Sequence, residues 1–240
     1  MIHRSLSFAV LAAGVFLSIA QIASGADDAP RQKVLFEDQF KDKLGDGWSW
    51  VYEDKENWRI EGGKLQIRAT GGSSFMKEHN GKNYLLRTPP DVKSGELLVE
   101  VYIEIKPTEQ WEHAGLMWFY DDDHYVILNK ERNNYSHTTS IMFGVEKDGK
   151  IVPPEGKAGP SVPETPYDAE GVWLRFRVNG KHIVGEYRTL PTNPWREAGS
   201  GELPEKGPPT VGLHAGYAPK KELNRWASFS HFKIAELAKE

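Results

Sequence analysis

From residue 34 onward, apolar and polar residues alternate in short runs broken by Gly, Pro, Asn and Asp. Period-two alternation bounded by turn residues is the mark of β-strands with one face in a core. The longest run is Gly95 to Lys106, with Leu97, Val99, Val101, Ile103 and Ile105 on one side and Glu96, Leu98, Glu100, Tyr102 and Glu104 on the other. That division predicts an antiparallel sheet with one side buried. Further strands are expected from Val34, over Trp48–Tyr52, Trp58–Ile60, Lys64–Ala69, Tyr84–Arg87, Ser140–Glu146, Val211–Tyr217 and Ala227–Ile234. Trp173–Val178, Asn179-Gly180 and Lys181–Tyr187 read as a hairpin, because Asn-Gly tolerates the two positive φ values of a type I′ turn. Segments 152–168 and 189–210, rich in Pro and Gly, are expected to be long loops. No segment keeps a helical apolar period for three turns, so the chain is expected to be an all-β, two-sheet antiparallel jelly-roll sandwich.

The stretch from Glu112 to Asn129 is the most informative. His113–Tyr120 reads as a strand with large apolar residues on both faces, followed by an acidic turn at Asp121-Asp122-Asp123 and a second strand from His124. Leu116, Trp118 and Tyr120 share one face, Met117 and Phe119 the other. If Met117 and Phe119 fill the core, Trp118 and Tyr120 lie on the open sheet. Val126 and Leu128 belong inside, which adds Tyr125 and Asn129 to that open face. Trp111, His113, Arg132, His214 and Trp226 are candidates for its rim. The other reading makes Trp118 and Tyr120 core residues, the usual fate of large aromatics in sandwiches.

The first residues have a different character. A basic start at His3-Arg4, an apolar run over residues 5–19 and small residues at Ala23 and Gly25 form a cleavable leader, with cleavage expected before Ala26. Residues 26–33 are read as a polar tether and 34–240 as one domain. Export through this leader implies a periplasmic or secreted protein. The net charge of −4 becomes −5 on removal of residues 1–25, because Arg4 is the one charged side chain lost. Mild acidity argues against nucleic acid and anionic membranes as partners. The absence of cysteine excludes disulfides and thiol chemistry and leaves stability to the core.

Phe36-Glu37-Asp38-Gln39-Phe40, Trp48-Ser49-Trp50, Trp58–Ile67 and the block from Ala114-Gly115-Leu116 to Asp123-His124-Tyr125 together resemble the concanavalin A-like lectin/glucanase superfamily. Within it, the chain is most similar to bacterial stand-alone "regulation of enolase"-type sandwiches and to the C-terminal sandwich of β-xylosidases. The resemblance implies the fold. Its members include lectins, hydrolases and accessory domains, so it leaves function open.

Glucanases of this superfamily carry Glu-x-Asp-x-Glu on a concave strand. Glu100-Val101-Tyr102-Ile103-Glu104 is the nearest match, with Tyr in place of the central Asp. Cα atoms four residues apart on a strand are separated by roughly 13 Å, so only inward-leaning side chains could bring Glu100 and Glu104 into glycosidase range. Structural calcium in superfamily members makes Asp38 a candidate ligand, whereas consecutive Asp121–Asp123 lack the spacing of a calcium loop. The eight His form no metal pattern, and no nucleophile elbow or phosphate loop occurs. Eight Trp, nine Tyr and ten Phe favour sugar stacking. The expectation is therefore a monomeric, exported module that binds polysaccharide or oligosaccharide without covalent chemistry. A glycoside hydrolase and a protein-interaction domain are the alternatives.

Overall fold

The alternation in Glu96–Glu104 holds residue by residue: Leu97, Val99, Val101 and Ile103 are buried between two sheets, while Glu96, Tyr102 and Glu104 face outward. The computed structural model describes residues 32–73, 75, 77–92, 95–133, 138–153, 164–218 and 224–238. The leader and most of the tether lie outside the described residues. Gln32 and Lys33, read as tether, already belong to the first strand. Among the described residues no helix is long and apolar enough to cross a membrane.

Among the described residues there are sixteen strands: β1 (Gln32–Asp38), β2 (Ser49–Val51), β3 (Trp58–Glu61), β4 (Lys64–Arg68), β5 (Tyr84–Arg87), β6 (Glu96–Glu104), β7 (His113–Asp121), β8 (His124–Asn133), β9 (Thr138–Lys147), β10 (Lys150–Ile151), β11 (Glu164–Pro166), β12 (Gly171–Asn179), β13 (His182–Arg188), β14 (Arg196–Glu202), β15 (Thr210–Gly216) and β16 (Trp226–Leu237). The first sheet runs β14-β13-β12-β6-β16-β4-β3, with β1 also on β16. The second runs β10-β9-β8-β7-β15-β5-β2, with β11 also on β9. Every recorded pairing is antiparallel, and strands distant in sequence lie side by side, as in a jelly roll. β1 pairs with β16 from Gln32↔Leu237 to Asp38↔Phe232, so the first and last strands share a ladder.

Three local expectations change: segment 152–168, read as a loop, contains β11, which pairs with β9 from Glu164↔Met142 to Pro166↔Ser140, and two others follow. The hairpin between β12 and β13 closes on the pair Asn179↔His182, so its loop is Gly180-Lys181. Only Gly180 has a positive φ (59°), the pattern of a type II′ turn rather than I′. The segment 189–210, read as a loop, contains β14. Its Arg-Glu-Ala-Gly-Ser-Gly-Glu sequence lacks apolar alternation because it is an edge strand with one short buried side chain, Ala198. Gly199 of β14 pairs with Gly185 of β13, and both lie over the Phe143 ring of β9. A Cβ on Gly185 would sit 2.5 Å from Phe143 Cδ2, and one on Gly199 2.8 Å from Cδ1. The missing side chains let the two sheets close tightly at this end.

Lys130 of β8 ties the sheets together elsewhere. Its buried ammonium donates to the carbonyls of Ile105 (2.5 Å), Ala169 (2.6 Å) and Glu170 (2.7 Å). Burial lowers its pKa to about 8.

Candidate functional site

The second sheet buries side chains on both faces. Its inner face contributes Leu116, Trp118, Val126, Leu128, Phe143, Val211 and Leu213 to the sandwich core. Its outer face carries a second apolar cluster: Tyr84, Leu86, Met117, Phe119, Tyr125, Ile127 and Met142. Trp118 therefore fills the core, and Tyr120 packs against the same core, contrary to their expected place on the open face. The ladder shows the cause. Asp121 pairs with His124 but Phe119 with Tyr125, so Tyr120 is the extra residue of a β-bulge. Trp118 then stands opposite Val126, and residues directly opposite share a face.

Four expected site residues do come together on the outer face: His113, Tyr125, Asn129 and His214. His113 opens β7 at the end of this face, opposite Gly216, and His214 lies one step inward on β15. Their imidazoles have centroids 5.1 Å apart, and Gly115 separates Asn129 from His214 in the ladder. His113 Nδ1 donates to the Trp111 carbonyl (2.7 Å), and His214 Nε2 donates to Asn129 Oδ1 (2.8 Å). Burial pushes the pKa of His113 down to about 4. Burial and then the neighbouring His113 hold His214 well below the ordinary imidazole value. Both rings are thus neutral near pH 7; each spends its one N–H on the bond just described and keeps an acceptor nitrogen, while Asn129 Nδ2 supplies a donor. Asn129 is fully buried, and its Nδ2 has no hydrogen-bond partner. Glu131 approaches His113 at 3.9 Å, and Tyr125 donates to the buried Glu146 (2.7 Å).

One end of this face carries Trp111, which is 41% exposed and meets Tyr217 edge-on at 5.2 Å. Both residues have left-handed backbone, with φ of 63° and 56°, a strain that needs surrounding structure to hold it. At the other end Tyr52, also exposed, meets Tyr84 edge-on, and Tyr84 in turn meets His214. Met117, Phe119, Tyr84 and Glu146 escaped the sequence reading. The one-residue offset of the bulge hid the first two, while the pairing of β15 with both β7 and β5 brought in Tyr84.

The remaining candidates lie elsewhere. Arg132 alternates with Glu131 and so points to the inner side of its strand, as Lys130 does. Its backbone holds Trp111 through a 2.8 Å hydrogen bond. Trp226 is on the first sheet, under the Arg59 guanidinium at 4.2 Å. It borders a depression of about 470 Å³ with Glu104, Lys106, Glu170 and Arg225. Glu104 is ion-paired with Lys64. Glu100 lies on the outer side of the first sheet, buried between Lys233 (3.1 Å) and Arg175 (3.7 Å). Both candidate catalytic carboxylates are thereby committed to cations, on the opposite sheet from the imidazole cluster.

Asp38 is a loop anchor. Its carboxylate accepts from Phe40 N, Gly45 N and Trp48 Nε1, each at 2.8 Å. No group of three or more potential metal-binding His, Asp or Glu occurs among the described residues. The acidic turn is likewise engaged: Asp121 and Asp148 flank His124 at 2.7 and 3.1 Å, Asp123 meets His79, and Tyr52 donates to Asp122.

The fold recurs in known structures. A GH43 protein from Bacillus licheniformis superposes with a TM-score of 0.69 at 18% identity, covering 83% of this chain and 39% of that one. A xylan β-1,4-xylosidase from Bacillus halodurans gives 0.65 at 19%, with the same coverages. A functionally unknown protein from Saccharomyces cerevisiae gives 0.58 at 15%, covering 79% of this chain and 96% of that one. The chain thus spans about two fifths of the length of the two GH43 proteins. No curated protein matches. The sequence itself matches the β-xylosidase C-terminal concanavalin A-like domain over residues 37–234, and the chain belongs to that family.

Proposed function

We propose that the chain is an exported carbohydrate-binding module whose site is the outer face of the second sheet. The observation that carries this reading is the polar set His113, His214 and Asn129, desolvated on a face turned away from the sandwich core, beside the exposed Trp111. Polar groups without full partners are costly to bury, and a ligand that completes their hydrogen bonds offsets that cost. Neutral imidazoles and a carboxamide match sugar hydroxyls in both donor and acceptor sense, and the Trp111 ring offers a stacking surface. The relation to GH43 proteins supports a carbohydrate ligand.

Binding of the protein to a panel of soluble and immobilised glycans tests the reading. Trp111→Ala and Asn129→Ala are expected to weaken retention of the selected glycan with little change in the denaturation midpoint for Trp111→Ala. Retention of no glycan, or retention unchanged in both variants, removes this function. Export is tested by N-terminal sequencing of protein recovered outside the cytoplasm, which is expected to begin at Ala26.

A further inference from the structure

The outer face of the first sheet is ordered into transverse rows by its ladders. One row is charged: Lys233, Glu100, Arg175 and Glu186 face one another across β16, β6, β12 and β13. Its charges are mutually paired, with Arg175–Glu186 at 2.6 Å and Lys233–Glu100 at 3.1 Å. Arg177, farther along β12, is taken by Glu96 (3.3 Å) and lies 3.8 Å from Glu186.

The adjacent row is different. It runs Tyr102, Trp173, Arg188 on β6, β12 and β13, with Trp195 just beyond the last β13–β14 pair. Tyr102 and Trp173 have centroids 5.3 Å apart, and His231 stacks on Trp173 at 5.4 Å and 28°. The Arg188 guanidinium lies 5.4 Å from the Trp173 ring and 4.3 Å from that of Trp195. Tyr102, Trp173, Arg188 and Trp195 are all half-buried, so each keeps a surface open to solvent. Arg188 forms no ion pair with a carboxylate among the described residues, and its Nε is buried without an acceptor. Glu100 acts on it only through space, and Arg175 opposes it. The Trp195 ring also carries the Arg175 guanidinium, at 4.1 Å, but Arg175 is answered by Glu186; with Glu100 and Glu186 engaged by other cations, Arg188 is the positive charge of this row that lacks a carboxylate partner.

We propose that this row is a second glycan-binding surface, for a carboxylated saccharide: the half-buried rings of Tyr102, Trp173 and Trp195 give the sugar units an apolar border, and Arg188 receives a uronate carboxylate. Planar guanidinium and carboxylate match in a two-bond fork, which a neutral sugar cannot offer. Aromatic groups spaced across neighbouring strands recur about every 4.8 Å, giving an extended platform rather than a closed pocket. The surface is on the opposite side of the sandwich from the imidazole cluster, so the two can be lost separately.

Polygalacturonate, its fully methyl-esterified form and dextran sulfate are the probes, titrated against the full chain by calorimetry. Polygalacturonate is expected to bind, with esterification weakening it about tenfold or more, and dextran sulfate binding more weakly than the uronate. Arg188→Gln and Arg188→Lys are both expected to reduce uronate affinity about tenfold at an unchanged melting midpoint, because Lys keeps the charge but not the fork. His214→Ala is expected to leave it unchanged. The proposal is overturned if polygalacturonate does not bind, if esterification or Arg188→Gln has no effect, or if dextran sulfate binds equally well. Loss of uronate binding in His214→Ala with none in Arg188→Gln would move the ligand to the second sheet.

Discussion

Trp118 of β7 stands directly opposite Val126 of β8, and both side chains lie between the sheets. Trp118 is therefore a structural residue. Trp118→Ala is expected to cost about 3–5 kcal/mol, as for other large buried aromatics. Chemical denaturation measures this. The folded fraction of the variant should retain the affinity of the parent for any glycan that depends on Trp111.

One residue decided how that face reads from sequence. With an unbroken ladder from the turn, Trp118 and Tyr120 would share a face with Tyr125 and Asn129. The bulge at Tyr120 slips the register by one and exchanges the two faces. No local signal marks it, because Leu116–Tyr120 is apolar on both sides and either face satisfies a core. β6 had no such ambiguity: its charged residues alternate with Val and Ile, and its inner face is as the pattern indicates. The rest of the site depended on which strands pair. His214 is 85 residues from Asn129, and only the β15–β7–β8 order brings them within 2.8 Å. β14 was illegible for a different reason, since glycines chosen for close approach erase the alternation of a strand.

The imidazole pair makes stability depend on acid. The folded-state pKa of His113 is lowered to about 4, and that of His214 is also lowered, so the unfolded chain binds more protons below the ordinary value near about 6.5. Stability is then fully present above about pH 6.5 and falls as pH drops toward 4. For His113 the loss is at most about 3 kcal/mol. Urea denaturation at pH 7, 5.5 and 4 should show this decline, and His113→Gln should flatten it. A slope unchanged in that variant would assign the decline to other groups.

Phe143 sets the spacing between the sheets where β13 and β14 cross β9. Gly185→Ala is expected to destabilise the fold by about 1–3 kcal/mol, because the new methyl meets a buried ring that has little room to turn. Replacing Gly185 in a Phe143→Leu background should cost less than in the parent. A double-mutant cycle reads this coupling directly.

Lys130 satisfies three backbone carbonyls with one ammonium. Lys130→Met preserves much of the volume and leaves those oxygens without that donor, at an expected cost of about 3 kcal/mol or more. Hydrogen exchange should show the loosening first around residues 105 and 167–171, where the donated bonds end.

The ladder joining Gln32 to Leu237 also fixes how the domain meets mechanical load. Chain entering at Gln32 and chain leaving after Leu237 emerge at the same corner, on adjacent antiparallel strands. Tension between those two exits draws the strands apart sideways, along the β1–β16 hydrogen bonds and across the strands. The bonds therefore yield one pair at a time, as in a zipper, and β1 peels away before the core is strained. The rows on β6, β12 and β13 and the outer face of the second sheet lie away from β1, so they keep their places while that corner gives.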